Sequence, residues 1–205
     1  MLVGPAGQIE ALSDDATAAQ NTPARGVAVI AHPHPLFGGT MDNKVVQTLA
    51  RAFVQCGWRA VRFNFRGVGA TQGVHDDGRG EVDDLLAVVR QCAPRGPLAL
   101  AGFSFGSFVM CQALQTLWPQ RSIEKLVLVG TAASRFTVPV LPLDAHERTL
   151  VVHGESDDTV ALSAVMDWAR PQVLPVTVIP GGSHFFHGQL PLLKSLVVRH
   201  LSTPA

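Results

Sequence analysis

Pro97 to Leu117 reads PLALAGFSFGSFVMCQALQTL, and the serine in its middle decides the fold. The apolar run Pro97 to Ala101 predicts a buried strand, and a helix is expected over roughly Phe105 to Leu117. Between them stands Gly102-Phe103-Ser104-Phe105-Gly106. A serine between two glycines, at the end of a strand and the start of a helix, is how a nucleophile is lifted above a sheet. The turn strains the serine backbone, and small residues on either side let strand and helix approach. The helix then aims its free N–H groups and positive dipole end at the serine oxygen.

A serine hydroxyl becomes a good nucleophile only when a base takes its proton, and the base needs an orienting acid. In this architecture the chain order is serine, acid, histidine. Thr149 to Val152 predicts a short buried strand running into His153-Gly154-Glu155-Ser156-Asp157-Asp158. Asp157 is the expected acid and Asp158 the alternative, because acids at the C-terminal end of a parallel strand sit on the functional edge of the sheet. Val176 to Ile179 predicts another strand, and Pro180-Gly181-Gly182-Ser183-His184 follows it. His184 is the expected base, with His187 as fallback. Alone, the serine reads as a tight turn, Asp157 as a helix cap and His184 as a surface residue. Their order, each at the end of its own strand, favours the catalytic reading.

Acyl transfer also needs donors for a developing oxyanion. The backbone N–H of Phe105 is one expected donor. The second is expected from the loop after the strand Val27 to Ala31, which reads His32-Pro33-His34-Pro35-Leu36-Phe37-Gly38-Gly39. Proline has no N–H, so Pro33 and Pro35 are excluded; Leu36 is the first choice and His34 the second.

Taken together, these residues resemble an α/β-hydrolase, and more narrowly the small members without a lid, related to dienelactone hydrolases and serine aminopeptidase-like proteins. The resemblance covers nearly the whole chain. It is carried by HPHPLFGGTMDNKVV from His32, RFNFRGVGATQG from Arg62, GEVDD from Gly80, GFSFG, HGESDD and GGSHFFHG. It implies Ser104, Asp157 and His184 as the catalytic triad. Two departures stand out. His-Pro-His-Pro replaces the usual His-Gly before the oxyanion loop, and Thr71 replaces a common serine in the RGxGxS loop, keeping the hydroxyl. Such a fold hosts many chemistries, so the resemblance leaves the substrate open.

The 205 residues are expected to form one domain, compact because 47% are apolar and 16% charged. Sixteen Lys and Arg balance sixteen Asp and Glu without a basic run, which argues against nucleic acid and anionic membranes as partners. The start, Met1 to Gly7, lacks a signal-peptide pattern, and Cys56, Cys92 and Cys111 form neither a disulfide framework nor a metal motif. The expectation is a reducing cytoplasm, small buried thiols within or at the ends of helices, and no cofactor. Gly96 to Gln120 carries no charge, but its glycines, glutamines and central turn predict a buried strand and helix rather than a membrane span.

Strands alternate with helices, which predicts a mainly parallel sheet covered on both faces. The remaining expected elements are helices at Lys44 to Gln55, Glu81 to Gln91 and Pro191 to Leu201, and strands at Ala60 to Phe65 and Leu126 to Val129. Gln8 to Leu12 is expected as an antiparallel edge strand and Asp14 to Pro23 as a loop. Only Gly130 to Arg148 separates two strands where a lid would enter, so an open site is expected. Phe37, Phe103, Phe185 and Phe186 are the pocket candidates, with Phe105 also available and two or three expected near substrate.

These features point to a carboxylesterase-like hydrolase acting on small or medium acyl esters. A thioesterase, a peptidase on the same triad, and a non-catalytic binding module are the rivals. Gly67-Val68-Gly69-Ala70-Thr71-Gln72-Gly73 mimics a dinucleotide fingerprint, but its third glycine is one place late. His32, His34, His184 and His187 lack the pattern of a zinc site. Arg66 is expected to hold the 67–73 loop, with Glu81, Asp83 or Asp84 as partner or, more simply, as a solvated helix start.

Overall fold

The computed structural model describes residues 1–16 and 24–203. A hairpin of β1 (Leu2–Gly4) and β2 (Gly7–Ile9) leads into a seven-stranded sheet. Its strands are β3 (Ala11–Asp14), β4 (Val27–Ala31), β5 (Arg59–Phe63), β6 (Leu98–Phe103), β7 (Ile123–Val129), β8 (Thr149–Gly154) and β9 (Val176–Ile179). They lie in the order β3-β5-β4-β6-β7-β8-β9. Only β3 runs antiparallel, against β5. The expected edge strand therefore exists but begins later, at Ala11, because Gln8 belongs to the hairpin. Residues 17–23 of the expected loop lie outside the described residues.

Alternation along β6 divides the core. Leu98 and Leu100 face one side, while Ala99, Ala101 and Phe103 face the other. The first side is covered by α2 (Arg79–Cys92), α3 (Phe105–Leu117) and α4 (Leu162–Ala169), through Leu85, Val88, Val109, Leu114 and Val165. The second is covered by α1 (Lys44–Gln55) and α5 (Leu190–Ser202), through Leu49, Phe53, Leu193 and Val197. Both faces of β6 are thus buried, which explains its unbroken apolar run. The charge-free stretch from Gly96 is this strand and α3. Among the described residues no helix is long and apolar enough to cross a membrane. The sequence reading did not foresee α4. Cys111 is buried as expected, whereas Cys56 and Cys92, at helix ends, are only partly so; all three are unpaired thiols.

Local chemistry sets the helix starts. The Asn43 side chain accepts the Val45 N–H at 2.9 Å, capping α1. Glu81, three residues into α2, turns back to accept the amides of Gly78 and Asp76 at 2.9 and 3.0 Å. Glu81 is therefore buried capping α2, not solvated. Arg66 forms a two-point pair with Asp84, at 2.9 and 2.8 Å, which anchors the loop after β5 to α2. The same loop is stitched to the N-terminal strands. Thr71 Oγ1 accepts the Glu10 amide and donates to Asn64 O, both at 2.9 Å, so the threonine performs the hydroxyl's structural duty.

Between β7 and β8 the chain forms turns and a 3-10 segment at Leu143–Arg148, with no α-helix. Nothing in that segment builds a cap over the sheet edge.

Candidate active site

Ser104 sits between β6 and α3 with φ 56° and ψ −115°, a conformation L-residues avoid. The surroundings hold it there. Its amide donates to Val129 O at 2.8 Å, and Ser107, fully buried one turn on, accepts the Val129 N–H at 3.1 Å and reaches Gly102 O at 2.7 Å. A Cβ on Gly102 would stand 2.5 Å from Gly106 O, and one on Gly106 would stand 2.5 Å from Ala31 O. Both glycines of the motif are thus required by backbone crowding where α3 crosses the ends of β4 and β6. No side chain caps α3, so the Phe105 amide at its start is left without a side-chain partner.

The structure brings Ser104, His184 and Asp157 into one hydrogen-bonded line. Ser104 Oγ lies 3.0 Å from His184 Nε2, and His184 Nδ1 lies 2.7 Å from Asp157 Oδ2. Asp157, not its exposed neighbour Asp158, meets the histidine; among the described residues the Asp158 carboxylate hydrogen-bonds only with the Thr159 hydroxyl. Asp157 Oδ1 accepts the Thr159 and Val160 amides at 2.9 and 2.7 Å. Burial pushes the Asp157 acidity toward the neutral acid. The hydrogen bond from His184, then the Val160 amide and the charge of His184, outweigh it and hold the carboxyl below its ordinary range. The fallback His187 is exposed and outside the line.

The acid and histidine loops are locked together. Ser156 N donates to Gly182 O at 2.9 Å, and Gly181 N donates to Glu155 Oε2 at 2.9 Å. Phe103 packs under the His184 ring at 4.9 Å between centroids. A Cβ on Gly130 would come within 3.3 Å of His184 Cε1, so glycine there leaves room for the imidazole. Behind the acid, buried His153 Nε2 donates to Val160 O at 2.9 Å and lies 3.4 Å from Asp157 Oδ2. Ser107, Gly130 and His153 escaped the sequence reading, because a supporting role behind a site leaves no spacing to recognise.

His32 and His34 differ sharply. His32 is fully buried; its Nδ1 donates to Pro33 O at 2.6 Å and its Nε2 accepts the Phe65 amide at 3.0 Å. Both ring nitrogens are engaged, and burial lowers its pKa to about 4. The folded state therefore refuses a proton that the unfolded chain accepts below about 6.5. That contribution to stability is whole above pH 6.5 or so and fades as pH falls toward about 4, a loss on the order of 3 kcal/mol. Urea unfolding midpoints should fall across this window in the wild type and fall less in a His32→Asn variant. Equal slopes would show that His32 is not the group excluded from protonation.

His34 lines the cavity, and the ring centroids of Phe37, His75 and Phe105 each lie 4.8 Å from its own. His75 in turn stands 2.8 Å from Glu81. The Leu36 amide donates to His34 Nδ1 at 3.3 Å within a one-turn 3-10 segment, and the Leu36 side chain is exposed. Leu36 does not line the cavity, so the first choice for the second oxyanion donor is displaced. Phe105 and His34 both line it, and neither amide makes a backbone hydrogen bond among the described residues.

A cavity of about 480 Å³ opens above Ser104. Phe37, Phe105 and Phe185 line it, together with Phe136, Ala132, Val160, Asn43 and Arg135, which the sequence reading did not single out. Two pocket candidates are corrected. Phe103 is buried on the α1 and α5 face, because strand alternation turns it down beneath His184. Phe186, at φ 52°, is buried in the same cluster and pins the histidine loop to the core.

The comparisons agree with this architecture. The model for the alpha/beta hydrolase fold matches residues 34–147. An α/β serine hydrolase without a lid from Xanthomonas campestris, XC6422, superposes with a TM-score of 0.86 at 35% identity, covering 99% of this chain and 94% of that one. An alpha-beta serine hydrolase homologue from Coxiella burnetii gives 0.82 at 38% identity, with 98% and 96% covered. The Rickettsia prowazekii protein RP471 is 30% identical over 201 residues, 89% of this chain and 79% of its own. The chain belongs to the alpha/beta hydrolase family, in its lidless form.

Proposed function

We propose that this protein is a carboxylesterase-like serine hydrolase that cleaves small or medium acyl esters through an acyl-enzyme. The observation that carries this is the line Ser104–His184–Asp157, with gaps of 3.0 and 2.7 Å, at the floor of an apolar cavity. His184 Nε2 takes the hydroxyl proton as Ser104 Oγ attacks the ester carbonyl. Asp157 keeps the other ring proton on Nδ1 and stabilises the imidazolium. The amides of Phe105 and, in place of Leu36, His34 receive the oxyanion. The tetrahedral intermediate collapses, the alcohol leaves with the proton from His184, and a water molecule repeats the sequence to release the acid.

An ester is favoured over an acyl-CoA thioester because Arg135 is the single Lys or Arg lining the cavity among the described residues, too little for the phosphates of CoA. Three unpaired thiols support a reducing cytoplasm as its compartment. A fluorophosphonate tests the reading without knowledge of the substrate. Stoichiometric labelling at Ser104, located by peptide mass spectrometry and lost in His184→Ala, is the expected result. A folded protein left unlabelled would make the non-catalytic binding module the better account.

A further inference from the structure

Among the described residues Arg135 is the one guanidinium, and the one charged side chain other than histidine, in a cavity walled largely by Phe37, Phe105, Phe136, Phe185, Ala132 and Val160; no Asp or Glu lines it. Six other arginines, Arg25, Arg59, Arg62, Arg66, Arg79 and Arg170, each stand within ion-pair distance of a carboxylate. Arg135 has no such partner among the described residues. Its guanidinium lies instead over the Phe37 ring, 5.8 Å from the centroid, at the mouth of the cavity. The main chain beneath it is fixed. The amides of Arg135 and Phe136 both donate to Ala132 O at 3.1 Å, and the Phe136 ring stacks on Phe108 at 4.5 Å. A held backbone thus presents an exposed, unneutralised charge at the edge of a cavity lined by Phe37, Phe105 and Phe136.

We infer that Arg135 selects esters that carry a carboxylate, separated from the scissile bond by an apolar segment that lies along the phenylalanines. This rests on the esterase reading of the same site. A guanidinium takes a carboxylate through two parallel N–H donors, so it reads shape as well as charge. The contact lies away from the reacting atoms and is alike in ground and transition states, so it acts on KM more than on kcat.

Two matched substrate pairs test it. 4-Nitrophenyl adipate monoester against 4-nitrophenyl hexanoate places the charge on the acyl side; 4-carboxyphenyl against 4-carbamoylphenyl butyrate places it on the alcohol side. In the wild type the anionic member of at least one pair should have a kcat/KM about tenfold higher. The preference should appear in KM and shrink in molar salt. Arg135→Gln should bring the ratio close to one and Arg135→Lys should keep part of it. Arg51→Gln, on α1 away from this cavity, should leave it in place. Equal rates within both pairs, or a preference that survives in Arg135→Gln, would overturn the inference while leaving the esterase intact. Absence of turnover on all four esters, with Ser104 inert to fluorophosphonate, would instead remove the esterase reading beneath it.

Discussion

Replacing Ser104 by alanine is expected to lower kcat/KM by about five orders of magnitude or more while the protein remains folded. The reaction as proposed has one nucleophile, so removing Oγ leaves only oxyanion binding and substrate positioning. The fold should tolerate the change for specific reasons. Alanine keeps the Cβ, and the positive φ costs it no more than it costs serine. The bond that holds the turn runs from the backbone amide to Val129 O and survives the substitution. The hydroxyl lost makes its one side-chain hydrogen bond to His184, at the floor of a cavity rather than in packed core. Unfolding midpoints should therefore move by less than about 1 kcal/mol. Steady-state rates and urea unfolding on the same preparation check both halves. Substantial residual turnover in the folded variant would require a different nucleophile.

Asp157→Asn should cost about four orders of magnitude in kcat, and Asp158→Asn no more than a few-fold. The contrast follows from the hydrogen bonds around Oδ1. Two backbone donors, from Thr159 and Val160, demand an acceptor there, so the asparagine oxygen must occupy that place. Its NH₂ group then faces His184 Nδ1. A donor at that position forces the ring proton onto Nε2, where it points at Ser104 and leaves no lone pair to accept the hydroxyl proton. The base is lost through its tautomer, without movement of the ring. Asp158 is exposed and, among the described residues, hydrogen-bonds only with Thr159, so its charge lies outside this line. Stopped-assay rates for both variants separate the two; the reverse ranking would reassign the acid.

Much of this site was legible because its requirements are local. A strained turn needs glycines on both sides, and Gly102 and Gly106 meet backbone atoms that no Cβ could pass. A strand buried on both faces must be apolar throughout, and β6 is. Helices α1 and α3 and strands β4 and β9 have the limits expected from their patterns. Of the two adjacent carboxylates, which sequence spacing alone separates poorly, it is Asp157 that meets His184.

Other features needed the folded chain. Phe103 and Phe186 share the aromatic character of Phe37 and Phe185, and composition cannot say which ring faces a cavity and which faces a helix layer. The side depends on strand alternation for Phe103 and on a left-handed turn for Phe186. The Leu36 amide donates to His34 Nδ1 within the 3-10 turn and not into the cavity, a matter of one local hydrogen bond. Phe136 and Arg135 reach the cavity from a loop whose sequence carries no motif.

The sequence alone determined the parts whose physics is contained within a few residues: the strained turn at Ser104, the alternation of strands and helices, and the order of Ser104, Asp157 and His184 along the chain. The tertiary structure alone decided which residues from distant loops share one space. It set Ser104 and His184 3.0 Å apart across 80 positions, placed His153 behind Asp157, and left Arg135 with no carboxylate partner among the described residues. Those outcomes depend on strand order in the sheet and on the packing of loops at its C-terminal edge. No local pattern encodes them, because each contact is fixed by elements that meet only after the chain has folded.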